Sequence, residues 1–115
     1  MKQLSEKKIE AMDALLEAIK EDYRDWGSNR VLTDIEKKIR ADMIQEFNQT
    51  LSYTVGKKYI KVIKDRSVWG FVVNVENDNK FQDGDLLMAA SWAAPARNFP
   101  RANIFKEYKV RWAGA

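Results

Sequence analysis

Cysteine and histidine are both absent from the 115 residues of this chain. Without cysteine, disulfides and thiolate metal sites are excluded. Without histidine, the chain lacks the side chain that most often acts as a general base near neutral pH and most often binds metals. Serine–histidine and cysteine–histidine nucleophiles are excluded, although chemistry that uses carboxylates alone remains open. We therefore expect a protein that is not an enzyme and that needs neither a metal nor a cofactor.

Long apolar runs are also missing. No stretch approaches the ~20 apolar residues of a membrane span, and residues 1–7 lack the apolar core of a secretory signal. With the absence of cysteine, these features predict a protein of the reducing cytosol that does not associate with membranes. A hydrophobic fraction of 45% beside 32% charged residues is typical of a globular chain, and the length predicts a single domain over residues 1–115.

Charge is distributed unevenly along the chain. Residues 1–50 carry 9 basic and 11 acidic side chains, whereas residues 51–115 carry 11 basic and 6 acidic ones. This asymmetry suggests that the second half meets an anionic partner. A surface excess of lysine that only maintains solubility would give the same numbers, so charge alone does not show that the partner is anionic.

The first fifty residues predict a helical hairpin. Ser5 can cap a first helix, and Gly27 follows its last apolar position. A capping box pairs Thr33 with Glu36 at the start of a second helix. Apolar side chains recur at steps of three and four along both helices. In the first they are Ile9, Met12, Leu15, Leu16, Ile19, Tyr23 and Trp26, and in the second Ile35, Ile39, Met43 and Phe47.

From Leu51 onward the apolar period changes to two, which is typical of strands. Strands are predicted over residues 51–55, 58–64, 68–76 and 108–112, with turns at 65–67, 77–80 and 83–85. Gly70 inside the third strand indicates a bulge or a close approach by another backbone. The sequence therefore predicts an α+β fold, in which the N-terminal helical hairpin precedes a small antiparallel sheet or partial barrel. We expect residues 51–115 to form the ligand-binding part.

Two acidic residues flank Gly84 in the last of these turns. Asp83 and Asp85 could bind a cation or act as acid and base, but turn chemistry is the better explanation of an Asp-Gly-Asp sequence. Basic residues also cluster before and within the second strand. Strand alternation separates Lys58 and Lys64 from Lys57 and Lys61, so one continuous basic stripe is not expected.

Residues 89–105 hold both prolines and are too apolar for an ordinary solvated loop. We expect an ordered loop that faces a ligand. Arg97 and Arg101 carry planar forks of donors that match phosphate oxygens. Two such groups could clamp a pyrophosphate while the Asn98 amide reads a sugar or base edge. Alternatively, both arginines cap carbonyl groups of the sheet or pair with the carboxylates of the 83–85 turn.

Aromatic rings supply the second half of a nucleotide site. Trp69, Phe71, Trp92 and Phe99 could each stack on a base, and Asn103 completes the candidate set. Alternation places Trp69 and Phe71 on one strand face together with Val73. Alternating aromatics on a strand are more often core than binding platform, and this explanation stays open for both residues.

Four segments of the second half resemble a known family. They are KKYIKV (57–62), WGFVVN (69–74), KFQDGDLLMAASWAAPARNFPRANIF (80–105) and VRW (110–112), and the most specific part is APARNxxRxNI at 94–104. Over about half of the chain they resemble the phage anti-Thoeris signal-sponge family (Thoeris anti-defence protein 1). Ala102 stands where a glycine would be expected in that pattern.

The resemblance implies a phage anti-defence protein of the host cytosol that is not an enzyme. Such proteins inhibit Thoeris by binding a cyclic ADP-ribose-type immune signal and sequestering it without cleavage, and some members hold cyclic oligonucleotides in separate sites. They form homodimers or higher homo-oligomers. Carried onto this chain, the resemblance assigns the arginine pair to Arg97 and Arg101 and the stacking ring to Phe71.

Other functions remain open from the sequence. A small basic barrel with exposed aromatics could bind single-stranded nucleic acid, with steep salt dependence. The helical hairpin could instead bind a partner helix as a protein-interaction subunit of a phage, through Ile9, Met12, Leu16 and Ile19, which would equally serve as a dimer seam or core. Hydrolysis of a cyclic nucleotide ranks last.

Overall fold

A computed structural model describes residues 4–25 and 33–115. Its elements in chain order are α1 (Glu6–Asp25), α2 (Asp34–Thr50), β1 (Leu51–Val55), β2 (Tyr59–Lys64), β3 (Ser67–Val73), β4 (Asp85–Leu87) and β5 (Ala102–Asn103). The strands form one antiparallel sheet in the order β1-β2-β3-β4-β5, and the sheet is not closed. The predicted α+β fold is therefore confirmed as two helices followed by an open sheet.

Local capping signals set the starts of both helices. The Ser5 hydroxyl accepts a hydrogen bond from the amide of Lys8 at 3.2 Å. The Thr33 hydroxyl accepts one from the amide of Glu36 at 3.2 Å, and the Glu36 carboxylate accepts one from the Thr33 amide at 3.3 Å. The predicted capping box is thus present. The predicted stop at Gly27, like Trp26, lies outside the described residues.

The main core lies between α1 and one face of the sheet. Met12, Leu15 and Ile19 of α1 are fully buried. The sheet residues of this cluster are Leu51, Ile60, Val62, Trp69, Val72 and Leu86. Burying each such aliphatic side chain contributes about 1.5–3 kcal/mol, so this face holds the first helix on the sheet. Ile9, expected on the same stripe, is 40% exposed.

The second helix presents its predicted stripe differently. Phe47 is buried, but Ile35, Ile39 and Met43 are 75%, 54% and 45% exposed. Ile44 packs against the core beside Phe47 instead. At 3.6 residues per turn, position 44 lies about 100° around the helix from position 43. The helix is therefore rotated so that most of the stripe faces outward.

A bulge in β3 corrects the predicted side-chain alternation. Val62 pairs with Gly70 and Ile63 pairs with Val68, which leaves Trp69 without a partner position. One extra residue in a strand reverses the faces that follow it. Trp69 consequently joins the helix-facing core, whereas Phe71 belongs to the cluster on the opposite face. The predicted shared face of these two rings is wrong, and the predicted irregularity at Gly70 is confirmed.

Gly70 also marks a close approach of other chain segments. A Cβ atom at this position would lie 2.9 Å from the Cβ of Ala115 and 3.1 Å from the carbonyl oxygen of Leu87. Distances this short leave no room for a side chain. The bulge therefore lies at the neighbouring Trp69, and the close approach occurs at Gly70 itself, as a glycine within a strand predicts.

The predicted strand over residues 108–112 is wrong, and the last strand is the short β5. The C-terminal segment is irregular, and it is held by two side-chain hydrogen bonds and by the Ala115 amide, which donates to the Trp69 carbonyl at 3.0 Å. Its Arg111 carbonyl accepts a bond from the indole N–H of Trp69 at 2.8 Å, and its Trp112 amide donates to the Asp22 carboxylate at 2.8 Å. These side chains occupy backbone groups that strand pairing would need.

Candidate ligand-binding surface

The loop over residues 88–101, called the basic aromatic loop below, is ordered by its own hydrogen bonds. The amides of Ala90 and Ser91 both donate to the carbonyl of Ala94 at 3.0 Å, and the Ala96 amide donates to the Met88 carbonyl at 2.7 Å. This narrow turn projects Trp92, which is 55% exposed. The expectation of an ordered segment is confirmed, and its contact with a ligand stays a prediction.

A lysine from the sheet lies against the projecting ring. Lys61 is on β2, directly opposite Phe71 on β3, and its ammonium is 4.5 Å from the centroid of the Trp92 ring. A cation over a tryptophan face is attracted by the ring quadrupole. The pair combines an exposed aromatic surface with a positive charge, which suits a base and a phosphate of one ligand.

Arg97 is held by three groups. Its guanidinium donates to the Asp78 carboxylate at 2.9 Å and to the Tyr59 hydroxyl, and its central carbon is 4.8 Å from the Phe81 ring centroid. The Asp78 hydrogen bond is the main cause that raises the pKa of Arg97, so its charge is permanent. About a third of the Arg97 side chain is exposed.

Asp78 fixes the position of Arg97, and the Asp78 side chain is only 1% exposed. One oxygen, Oδ1, accepts from Arg97 and from the amides of Lys80 at 2.8 Å and Phe81 at 3.0 Å. The other, Oδ2, is buried without a hydrogen bond, and the Lys58 ammonium is 3.9 Å away. The Arg97 bond, followed by the Lys80 amide, holds the pKa of the carboxyl well below its usual range. The sequence predicts a turn at 77–80, but no local signal indicates that Asp78 holds Arg97.

The lowered pKa of Asp78 predicts an acid-sensitive step in stability. Because the folded-state pKa lies below the unfolded value of about 3.9, the ionised carboxylate stabilises the fold above that value. The contribution is lost progressively as the pH falls from about 5 toward 2. Chemical denaturation at a series of pH values should show this fall in the free energy of unfolding.

Asp78→Asn is the control for that measurement. The amide keeps the size of the side chain but not its charge, so the variant should be less stable at neutral pH and lose less on acidification. Parallel stability curves for the wild type and the variant would contradict the assigned role of the carboxylate.

Arg101 has different surroundings from Arg97. Its guanidinium carbon is 4.0 Å from the centroid of the Phe99 ring, and one of its nitrogens is 3.3 Å from the Met88 sulfur. Arg101 is exposed, and Phe99 is 53% exposed. Asn98 is exposed as well, and its side-chain oxygen accepts from the Phe99 amide at 2.8 Å. The two arginines of this loop thus contact different aromatic rings, Phe81 before the loop for Arg97 and Phe99 within it for Arg101.

Three predicted site residues are integrated into the fold. Trp69 and Phe71 are each 2% exposed, and Asn103 is 8% exposed. The Asn103 amide nitrogen donates to the Asp85 carboxylate at 2.9 Å and to the Asp83 carbonyl at 3.1 Å. For the two rings, burial favours the core explanation that the sequence left open.

The carboxylates of the 83–85 turn are also taken by structural contacts. Asp83 forms an ion pair with Lys8 at 2.9 Å, and Asp85 accepts from Asn103 and from the Gln82 amide at 2.9 Å. The alternative in which Asp83 and Asp85 pair with the arginines is therefore wrong, since Asp78 is the carboxylate that Arg97 meets. The turn itself is confirmed, with Gly84 at a φ of 88°.

Three clefts lie elsewhere on the surface, with volumes of about 680, 320 and 520 Å³. None of them is lined by the eight predicted site residues. The 520 Å³ cleft is lined by Lys57, Lys58, Asn77 and Asp78 among others. Asp78 therefore lines this cleft and also binds Arg97 of the basic aromatic loop. The loop itself is an open surface and not an enclosed pocket.

Among residues 4–25 and 33–115, no cluster of three or more acidic side chains is arranged to hold a metal ion. Within the same ranges, neither helix combines the length and apolarity needed to cross a bilayer. Comparisons with protein-family models, curated proteins and solved structures returned no match to this chain.

Proposed function

We propose that this protein is a non-catalytic binding protein that sequesters an anionic, base-bearing small molecule of the cyclic ADP-ribose type on its basic aromatic loop, as an anti-defence protein of a phage. One observation carries the proposal. Trp92 and Phe99 are each more than half exposed, and each has a cation on its ring, Lys61 at 4.5 Å and Arg101 at 4.0 Å.

These pairs match the two chemical parts of a nucleotide. The exposed area of each ring offers a stacking surface for a base, and the adjacent cation offers charge-assisted hydrogen bonds to phosphate. Arg97 lies in the same loop, and about a third of its side chain is exposed. The loop and the neighbouring Lys61 therefore present three cations and two rings, and Asp78, the carboxylate that pairs with Arg97, is buried.

The magnitudes are compatible with a sequestering protein. Stacking contributes about 1–3 kcal/mol per base, and a hydrogen bond to a charged group contributes about 1.5–3 kcal/mol. Two of each give about 5–12 kcal/mol, and nanomolar affinity needs about 12 kcal/mol. The contacts of a single loop reach about 12 kcal/mol only at the upper end of this range, so contacts from a second subunit would strengthen binding.

Arg101→Ala should weaken binding of cyclic ADP-ribose at least tenfold without changing the melting temperature, because Arg101 is exposed and packs only on the loop surface. Arg97→Ala should weaken binding similarly but also lower stability, since it leaves Asp78 without its main partner. Isothermal titration calorimetry at fixed, low salt measures the affinity of both variants. Arg66→Ala, an exposed arginine in the β2–β3 turn, is the matched control and should bind as the wild type does.

Unchanged affinity in both loop variants would remove the arginines from the site, and a wild type that binds neither cyclic ADP-ribose nor ADP-ribose would contradict the proposal as a whole. Sequestration is distinguished from cleavage by heating the complex and identifying the released molecule by mass spectrometry. Intact ligand is expected.

A single-stranded nucleic acid is the second candidate ligand, because cation–aromatic pairs continue along β2. The Lys58 ammonium is 5.6 Å from the Tyr59 ring centroid, two residues from the Lys61–Trp92 pair. Several phosphate contacts would make the logarithm of the binding constant fall steeply with the logarithm of salt concentration. A small diphosphate ligand predicts a shallow slope, so a salt titration with an oligonucleotide separates the two.

A further inference from the structure

The two carboxylate oxygens of Asp78 have different surroundings. Oδ1 accepts three hydrogen bonds, from the Arg97 guanidinium and from the amides of Lys80 and Phe81. Oδ2 is buried and accepts none from the described part of the chain. A buried charged oxygen without a hydrogen bond is costly, so such an atom in a folded protein needs an explanation. Because no donor within residues 4–25 and 33–115 reaches Oδ2, this oxygen is left for a donor from outside the chain.

The 520 Å³ cleft lies beside this oxygen. Its lining comprises Asp78 together with Lys57, Lys58, Val75, Asn77 and Asn79. The volume lies within the range of about 300–1,000 Å³ that is typical of small-molecule sites. The Lys58 ammonium is 3.9 Å from Oδ2, too far for a hydrogen bond, and 55% of its side chain is exposed. A ligand in the cleft would therefore displace one flexible side chain to reach Oδ2, without breaking a hydrogen bond to Asp78.

The charges around the cleft select the kind of donor. The Arg97 hydrogen bond is the main cause that holds the pKa of Asp78 well below its usual range, so Oδ2 accepts hydrogen bonds and does not donate them. Lys57 and Lys58 border the same space and repel a cationic donor. A neutral N–H group is favoured instead, such as the exocyclic amino group of a nucleobase. The two asparagines of the cleft offer further donors and acceptors to the edge of such a base.

The cleft and the basic aromatic loop are connected on one face of the sheet. Tyr59 and Lys61 are two residues apart on β2, so their side chains lie on the same side, about 7 Å apart. The Tyr59 hydroxyl accepts a hydrogen bond from Arg97, and the Lys61 ammonium lies on the Trp92 ring. Arg97 also binds Asp78. One ligand can therefore place the edge of its base in the cleft while its phosphates meet the cations of the loop.

We propose that Asp78 recognises the base of the ligand, with Oδ2 accepting a hydrogen bond from an exocyclic amino group in the 520 Å³ cleft. Stacking on the loop uses the face of a base, whereas this contact uses its edge, so the two are compatible. The inference rests on the function proposed above and defines the ligand class more narrowly, as nucleotides whose base carries an amino group, such as adenine.

Paired calorimetric titrations test this inference with ADP-ribose and its 6-deamino analogue, in which hydrogen replaces the amino group of adenine. The wild type should bind ADP-ribose at least tenfold more tightly, because the analogue leaves Oδ2 without a donor. Equal affinities, expected if Oδ2 meets only water, would overturn the inference and leave the proposed function intact. Binding of neither molecule would contradict both.

Asp78→Asn is tested through the ratio of the two affinities. Because Oδ1 accepts three donors, the asparagine oxygen should take its place and the NH₂ group should take that of Oδ2, where it opposes another amino group. The two molecules should then bind about equally, and any loss through Arg97 affects both alike. Asp83→Asn is the matched control, since it also gives up an ion pair, with Lys8 at 2.9 Å, but does not line the cleft. An Asp78→Asn protein that keeps the full preference would refute the assigned contact.

A second variant leaves the carboxylate in place. Asn79→Trp puts a large ring into the cleft from an exposed position. It should remove the preference for ADP-ribose, because the ring keeps the edge of the base away from Oδ2. Asn48→Trp, at an exposed position of α2, is its control. Circular dichroism establishes that the variants are folded, and an unchanged preference in Asn79→Trp would place recognition of the base outside this cleft.

Discussion

Replacing Trp69 with alanine should lower the free energy of unfolding by about 3–5 kcal/mol, the cost of truncating a large buried aromatic side chain. Trp69 is 2% exposed and belongs to the core beneath α1. Its indole also holds the Arg111 carbonyl at 2.8 Å. The variant therefore loses core packing and the attachment of the C-terminal segment together. Urea denaturation followed by far-ultraviolet circular dichroism measures the loss.

Trp69→Phe separates the two contributions. Phenylalanine keeps most of the apolar volume but cannot donate to Arg111, so a smaller loss of about 1–2 kcal/mol is expected from the hydrogen bond and the reduced ring. Ligand affinity of the folded Trp69→Phe protein should equal that of the wild type. A loss under 1 kcal/mol in Trp69→Ala would show that this ring is not central to the core.

Gly84→Ala should lower the free energy of unfolding by about 1–3 kcal/mol. Gly84 has a φ of 88°, a conformation that costs energy for any residue with a side chain. A Cβ atom there would also lie 2.7 Å from carbons of the Phe105 ring, and such overpacking has its own cost. Denaturation of the single variant measures the sum of both effects.

The double variant Gly84→Ala/Phe105→Ala distinguishes backbone strain from collision with the ring. Removing the ring should recover the collision part but not the strain, so the two substitutions should not be additive. Simple additivity would contradict the close contact between Gly84 and Phe105.

Features that depend on a few consecutive residues could be predicted from the sequence. The helix starts at Ser5 and Thr33 follow from side chains that accept hydrogen bonds three residues ahead. The turn at 83–85 follows from the conformational freedom of its glycine. Each of these signals is complete within four residues, so no knowledge of the rest of the chain was needed.

Features that depend on tertiary contacts could not be predicted. The stripe on α2 is a correct helical pattern, but periodicity does not say which face the sheet will cover, and Ile44 packs inward in place of Ile39. A single inserted position at Trp69 reverses the alternation that the prediction assumed. Residues 108–112 alternate like a strand, yet Asp22 binds the backbone that a neighbouring strand would need.

The candidate site was accessible to sequence analysis only in part. Arg97 and Arg101 stood out because of their residue type, but the carboxylate that holds Arg97 lies 19 residues away in the chain. Nothing local connects Asp78 to that arginine. Among the aromatics, location mattered more than identity. The two within a central strand are buried, and Trp92 and Phe99, which lie in a loop, remain exposed.

The attachment of the basic aromatic loop has a kinetic consequence. Asp78 fixes Arg97, the Lys80 ammonium donates to the Arg97 carbonyl, and the Ala96 amide is bonded to Met88. A surface that already has its final shape does not have to rearrange before capture, so little ordering entropy is lost on contact. Encounter with a small anion should then limit the rate of uptake, and differences in affinity between related molecules should arise from how long each stays bound.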